Sequence, residues 1–594
     1  MTEFKKNKSI SLRLLLSENL RTRIMEFSFP TAFILGIYGF LNYPLGEETV
    51  TFSNAMYHSA QLFIMHTPHF GAPVPWSLET ARWLAVLSTG LVLYNAALHI
   101  LHKERIGLRI RRMKNHTIVC GLGRRGIAVT EKLHESGNKV VAIDKNPEPD
   151  IVQRLQTLGI PLIIGDATRK EILEEARIEY AARLFTFCSD DTTNFSIAME
   201  SLGEPSKIAL TRKCFIHIND AELRNTLQTN HEKKSFGNVQ THRFIDAYGP
   251  EAITLLAEGL PLEHDGILAD DIRKVHLIIL GFGCMGRTLA VKAAQLGQFA
   301  NRKKMLISVI DHNAKVNQAA LLFHHPFIED VVDFEFFQQE VLSPETRKQI
   351  EKWCIEADRI VNVVVCFDNP SIVYDTVFNL MHVFNRSNVR VAVRANDPDS
   401  FKFLLRGAGT TKYKDLRIQP FGLDKGLETL INPENVEAEK FAVDIHKAYV
   451  ELIFEEESKN PNQTGKVETR DELKSWDNLK EDFRESNRQQ AVHMYFKVRA
   501  CGYEIVALND PHPSIEEFEK GLSDVLAIME HDRWVAERKV NNWKFGDPSD
   551  KANRINKNLV DWDKLEPKIQ QYDYDAVARI PRLLKKVGKK MVVK

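Results

Sequence analysis

Twice along the chain an apolar run enters a Gly-x-Gly-x-x-Gly turn. "HTIVCGLGRRG" places Gly121, Gly123 and Gly126, and "VHLIILGFGCMG" places Gly281, Gly283 and Gly286. Each turn is followed by a helix-compatible stretch and a second apolar run that closes on an acid, Asp144 after "KVVAI" and Asp311 after "MLISVI". Glycines at these spacings allow a turn too tight for side chains and the close approach of a pyrophosphate to a helix N-terminus. An acid about 20 residues on is placed for ribose hydroxyls. Each unit is expected to be strand–turn–helix–strand, the start of a parallel α/β Rossmann-like sheet. Two in tandem make an internal duplication. For either unit the alternative is a sheet of this kind without its ligand.

After the first acid, "PLIIGDATRKEILEEARIEYAARLFTFCSDDTTNFSIA" gives a strand running into Gly165-Asp166-Ala167-Thr168, a short helix, another strand and a polar turn. This order resembles the RCK or TrkA-N domain, the cytoplasmic regulator of potassium channels and transporters, over residues 115–250. The resemblance implies nucleotide contacts at Gly121, Gly123, Gly126, Asp144, Asp166 and Ala167, with NAD or a related nucleotide as a regulatory ligand. Arg124 and Arg125 either reach phosphates or line a solvated loop face. The second lobe, 272–421, has no GDAT run after its acid and a longer glycine-to-acid distance. Strands "RIVNVVVCF" and "VRVAVRA" complete its sheet, and Gly281, Gly283, Gly286 and Asp311 are its candidate cofactor contacts. Paired lobes of this type build a gating ring. Hydride transfer needs a substrate domain with a general acid or base, and none is legible, so no catalytic residue is assigned. His324 and His325 read as loop or packing residues.

Upstream, Phe27–Gly46 and Trp83–Leu101 are uncharged apolar runs, each near the roughly 20 residues a bilayer-crossing helix needs. "KKNKSISLRLLLSENLRTR" before the first and "HKERIGLRIRRMK" after the second place both ends in the cytoplasm. The first run lacks a small-residue cleavage pattern and is expected to be retained. The expectation is a two-span α-hairpin, 27–102, in the cell (inner) membrane, with a basic cytoplasmic segment 1–26 before it and a basic linker 103–114 after it. Between the spans, Thr49–Leu78 contains no charged residue. "FSNAMYHSAQLFIMH" suits a short helix, and Pro68, Gly71, Pro73 and Pro75 break it. Short helix, broken strand and second span resemble the pore module of tetrameric cation channels, because irregular backbone at membrane depth is tolerated where it lines water or is buried in protein. His66, Thr67, His69, Phe70 and Gly71 are the pore candidates. The potassium filter TVGYG is absent, "TPHFG" standing in its place, so potassium selectivity is not implied. An outward loop between two anchor helices is the alternative.

Charge narrows the partners. Lys plus Arg and Asp plus Glu are 79 each, which gives no argument for nucleic acid. The 7 cysteines form no CxxC pair, so neither a metal site nor a disulfide framework is suggested.

The C-terminal part, after a helix and linker at 434–474, turns helical. A capping box is expected at Ser514-x-x-Glu517, opening a helix with Phe518, Leu522, Val525, Leu526 and Met529 on one face. "LAIMEHDRWVAERKVNNWKFGD", "NLVDWDKL" and "YDYDAVARIPRLLKKVG" resemble the RyR domain, the ryanodine-receptor repeat also found in bacterial proteins, over residues 475–588. Asn542 departs from the usual glycine, Phe545 from the usual tyrosine, and "NKNLVDW" from an HP-containing run. Trp534, Trp543 and Trp562 supply flat apolar faces, and Arg533 and Arg538 fixed cations, a set suited to stacking on a base and pairing with phosphate. His531 joins them as a ligand candidate, and a purely core role for Trp534 and His531 stays open. The resemblance implies a nucleotide second messenger as ligand.

The whole is expected to be multidomain: a transmembrane hairpin with a pore-like re-entrant loop at 49–78, two RCK-type lobes and a mainly α RyR domain. A homotetramer in membrane lipid would pass monovalent cations under control of a small nucleotide, by analogy in bacterial antiviral defence. A non-conducting membrane-anchored sensor for a separate transporter is the first alternative and an NAD-dependent enzyme the second.

Overall fold

The computed structural model describes residues 18–43, 50–66, 70, 73–202, 212–220, 223–224, 226–228, 240–385, 388–395, 401, 403, 417–422, 431, 437–458 and 470–594. The chain divides into two compact units, Met1–Arg112 and Met113–Lys594.

The first unit holds three helices, α1 (Glu18–Leu41), α2 (Phe52–Phe63) and α3 (Trp76–Arg111). The helix expected from "FSNAMYHSAQLF" is α2. The first apolar run is helical up to Leu41 and the second throughout, and α3 continues through most of the expected basic linker because Lys, Arg, Leu and Ile sustain a helix. Among the described residues one stretch, Arg23–Leu41, is long and apolar enough to cross a membrane. Side chains at 95 and 98–101, in the second expected span, lie outside the described residues. α1 and α3 pack antiparallel: Ser28 Oγ meets Ser88 Oγ at 2.7 Å, while Gly39 lies against Leu78 so closely that a Cβ would come within 2.9 Å.

The second unit contains two parallel six-stranded sheets. The first comprises β1 (His116–Cys120), β2 (Val140–Asp144), β3 (Leu162–Ile164), β4 (Ala181–Thr186), β5 (Arg212–His217) and β6 (Gln240–Ile245), in the order β3-β2-β1-β4-β5-β6. The second comprises β7 (Lys274–Leu280), β8 (Leu306–Asp311), β9 (Asp333–Gln338), β10 (Arg359–Val365), β11 (Val389–Arg394) and β12 (Ile418–Phe421), in the order β12-β11-β10-β7-β8-β9. These are the same topology repeated, with the strand order reversing beside each glycine loop. The near-continuous apolar character of "HTIVC" and "VHLIIL" follows from burial on both sheet faces.

The C-terminal helices are not a detached module. Val492 and Phe496 from the helix Glu481–Ala500, and Ala536 and Val540 from the helix Lys520–Val540, enter one apolar core with Leu289, Ala293 and Leu296 of the second lobe. An antiparallel strand pair, Tyr503–Ala507 with Lys589–Val593, accompanies them. The expected capping box does not form. The long helix starts at Lys520 with Glu519 as its N-cap residue, because Ile515 instead donates its N–H to the Met591 carbonyl at 2.9 Å and extends that strand pair. Tertiary pairing has overridden a local signal.

Since Phe496 belongs to a core shared by lobe and helices, Phe496→Ala should cost about 3–5 kcal/mol. Hydrogen exchange should show faster opening in the second lobe and the C-terminal helices together. Loosening confined to the C-terminal helices would show that the two are separate folding units.

Candidate functional site

In the first unit α2 lies along α1. Its middle lies beside the C-terminal end of α1, with the His58 ring 5.3 Å from that of Phe40. Its end lies near the middles of α1 and α3: the Phe63 ring sits 4.5 Å from that of Phe29, and the Phe63 carbonyl accepts from Thr89 Oγ1 at 2.8 Å. Twelve residues rising about 1.5 Å each make α2 about 18 Å long, half the length of α1, and its carbonyl end carries a partial negative charge. His66 follows that end and is exposed. Phe70 is half-buried, its ring 5.4 Å from Tyr43 and 5.3 Å from the Arg82 guanidinium, so it packs in the hairpin's own core. Thr67, His69 and Gly71 lie outside the described residues.

Both glycine loops have the geometry their spacing demands. Gly121 has φ +84° and Gly281 φ +90°, values L side chains avoid. A Cβ on Gly126 would overlap the Gly121 carbonyl oxygen. Gly123 and Gly283 are the N-cap residues of the helices that follow. Each acid braces its loop: Asp144 accepts from Leu122 N at 2.6 Å and Asn146 N at 2.8 Å, and Asp311 from Phe282 N and Asn313 N, both at 2.7 Å. A carboxylate retains lone pairs beyond these for a ribose. Asp166 accepts from Thr168 N and Oγ1 and pairs with Lys145 at 3.0 Å. Hydrogen bonds from Thr168, then Lys145, hold its carboxyl down at about 2, so it is ionised at any physiological pH. Ala167 beside it is buried.

Arg124 and Arg125 turn toward the partner lobe. Arg124 donates to the Ala395 carbonyl at 3.1 Å and lies 3.8 Å from Asp368. Burial and the like charge of Arg394 bring its guanidinium down to about 10. Arg125 is buried, donating to the Ala247 carbonyl at 3.1 Å and pairing with Glu251 at 3.0 Å, its guanidinium 3.2 Å above the Tyr248 ring. Glu251 also faces Arg394 at 3.7 Å. Sequence reasoning missed Tyr248, Glu251, Asp368 and Arg394, which lie in no motif and come together only through lobe pairing.

The aromatic and basic residues near the C-terminus divide into two groups. Arg533 is 2 % exposed and neutralised by Glu530 and Glu537, both at 2.9 Å. Trp562 is buried with Ala527 and Leu565. His531 is buried, bonded to the Val560 carbonyl at 2.8 Å, and lies 3.6 Å from Asp573. Trp534, Arg538 and Trp543 remain partly open as a cluster, the Arg538 guanidinium 5.8 Å from one indole and 5.1 Å from the other. That is a cation held between two flat faces, able to stack a base and attract an anion.

Residues 117–229 match the profile described as the TrkA-N domain, and residues 512–592 that of the RyR domain. The chain carries a TrkA-N domain and an RyR domain. Potassium channel protein 1 of Methanocaldococcus jannaschii is 34% identical over 94 residues, 16% of this chain and 28% of that protein. The voltage-gated potassium channel Kch of Escherichia coli is 24% identical over 220 residues, 34% of this chain and 51% of that protein. The chain thus spans about half or less of the length of these curated relatives. Among solved structures, the GsuK channel aligns over 70% of this chain and 97% of its own at 14% identity, with a TM-score of 0.38. The TrkA-N domain coincides with the first sheet up to the approach to β6, and the RyR domain with the helix Lys520–Val540, the open indole cluster and most of the last strand, Lys589–Val593.

Two outcomes are expected. Gly126→Ala sets a Cβ against the Gly121 carbonyl oxygen and should destabilise the second unit by about 1–3 kcal/mol, read by thermal melting with the sheet retained in circular dichroism; unchanged stability would mean that the loop opens without cost. In the RyR domain, burial disfavours the charged form of His531, but Asp573 and the Val560 carbonyl outweigh it and raise the group above 6.5. A raised histidine stabilises the fold fully below its unfolded pKa and loses that contribution as pH rises through its folded pKa. The melting difference between wild type and His531→Gln should therefore shrink as pH rises above about 6.5; a constant difference would mean that His531 acts through packing alone.

Proposed function

We propose that this protein is a nucleotide-regulated membrane ion channel, or a membrane-permeabilising effector of the same build. It would act as a homotetramer in the cell (inner) membrane with both termini cytoplasmic. The observation that carries the proposal is α2, a capped helix ending near the middles of two long helices, in a stretch, Thr49–Leu78, that contains no charged residue. Four such hairpins are needed to enclose one path, and the carbonyl ends would favour monovalent cations. The apolar side chains of Phe27, Ile34, Tyr38 and Trp83 are more than half exposed, which suits a surface covered by lipid and sister copies rather than water. The potassium-channel names of the relatives support the same reading.

In this proposal NAD or a related nucleotide binds at Gly121, Gly123, Gly126, Asp144, Asp166 and Ala167, with Gly281, Gly283, Gly286 and Asp311 as a second crevice. A nucleotide second messenger stacks at Trp534, Arg538 and Trp543. Gating would be a population shift, limited by each ligand's difference in affinity between closed and open states. Only Arg112–Asn115 separate the end of α3 from β1, so movement of the lobes would bear on α3 without a long linker to absorb it. The setting proposed is bacterial antiviral defence, supported by the pairing of the two domains alone.

The packing of Phe70 inside the hairpin core favours a second reading, a non-conducting membrane-anchored sensor for a separate transporter. The test is ion flux across liposomes holding the full chain, with a panel of NAD, ADP-ribose, ATP and cyclic dinucleotides. Nucleotide-dependent flux that changes cation preference in His66→Ala is the expected result. Nucleotide binding without flux would establish the sensor in its place.

A further inference from the structure

The second lobe and the RyR domain meet at one corner, and the same corner touches both candidate nucleotide sites. The helix Ala314–His324 starts beside Asp311: Asn313 N donates to this carboxylate at 2.7 Å and Asn317 Nδ2 at 3.4 Å. Its 11 residues carry it about 16 Å to its C-terminal end, where two bonds cross to the RyR domain. Asn542 Nδ2 donates to the His324 carbonyl at 2.9 Å, and His325 Nδ1 donates to the Val540 carbonyl at 2.8 Å. Asn542 adjoins Trp543, whose N–H is held by the Arg538 carbonyl at 2.9 Å. Leu321, midway along the helix, shares the apolar core with Val540. The His324 ring also lies 3.7 Å from Asp220 of the first lobe.

Asn542 lies in the turn that ends the helix Lys520–Val540. Its φ is +66°, in the left-handed region that glycine enters freely and asparagine tolerates better than other residues. The asparagine adds a side-chain amide that caps a carbonyl at the end of the neighbouring lobe's helix, a bond glycine cannot make.

We propose that Asn542 and the end of the helix Ala314–His324 form a built-in linkage, through which a nucleotide held at Asp311 and a ligand stacked at Trp534, Arg538 and Trp543 alter one another's affinity. The inference rests on the reading of both places as nucleotide sites. A nucleotide at Asp311 loads the first turn of the helix, and the helix is braced at its far end by the residue that orients Trp543. Since the coupling is thermodynamic, it runs equally in both directions. Asn542 is a positioning residue and touches neither ligand.

The experiment is hydrogen exchange on the full chain in lipid nanodiscs, with and without saturating NAD, for wild type, Asn542→Gly and Asn542→Asp. Glycine keeps the left-handed turn without strain, and aspartate keeps the turn but presents an acceptor to a carbonyl. In wild type, NAD should slow exchange at Asn313–Asn317, which reports occupancy of the second crevice, and slow Asn541–Trp543 by about fivefold. In both variants the first effect should persist and the second vanish. Equal slowing of Asn541–Trp543 in wild type and both variants would overturn the linkage, as would slowing confined to Asn313–Asn317 in wild type. No effect at Asn313–Asn317 in any of the three proteins would instead overturn the reading of the second crevice as an NAD site, and the linkage with it.

Discussion

The second unit turns on one buried carboxylate. Glu251, 3 % exposed, sits on the short helix Gly249–Thr254 after the first sheet, between Arg125 of the first glycine loop and Arg394 at the end of β11. Removing three charges from water is costly, and the cost is offset only if each keeps partners of good geometry. Arg125 meets this by donating to Ala247 and lying over Tyr248, and Arg394 by pairing with Asp368. The arrangement therefore fixes the two lobes in a specific register, with the first glycine loop tied to the strand ends of the second sheet. Whatever happens at one loop is felt at a junction with little freedom to relax.

The RyR domain extends this logic with apolar contacts as well as charge. Its long helix Lys520–Val540 and the preceding helix Glu481–Ala500 lie against the helix Cys284–Leu296 that leaves the second glycine loop. Gln489 bonds Gln295 at 2.9 Å in a buried position, and the Arg302 guanidinium grips both oxygens of Asp532. Inside the domain Lys497, Glu530, Arg533 and Glu537 form a continuous buried ionic chain. Such a chain specifies one helix register, since any slip would leave a charge unpaired. The domain is built as a wall of the second lobe.

Much of this was legible beforehand, for local reasons. The glycine spacing, the terminal acids and the apolar strands specify a parallel sheet whether or not a ligand is bound, and both sheets formed where "HTIVC", "KVVAID", "VHLIIL" and "MLISVID" placed them. The short helix between the two apolar runs was equally local, a stretch capped by Thr51. The Ser514 capping box misled because its neighbour Ile515 had a better offer from Met591, a residue far away in sequence. Among the ligand candidates of the RyR domain, Arg533 and Arg538 are alike in type and lie on one helix. One is closed in by two glutamates and the other left open between two indoles, a difference no helical periodicity carries.

By itself, the sequence determined the elements and their order, because strand burial, turn conformation and helix initiation depend on neighbours within a few residues. Only the tertiary structure decided that Arg124 and Arg125 serve the lobe junction, that Phe70 packs in the hairpin core, and that Asn542 caps the helix ending at His324. Each of these depends on a partner brought close by folding over a long sequence separation. The energy of a charge or an amide is set by what surrounds it in space, and a linear chain does not state that.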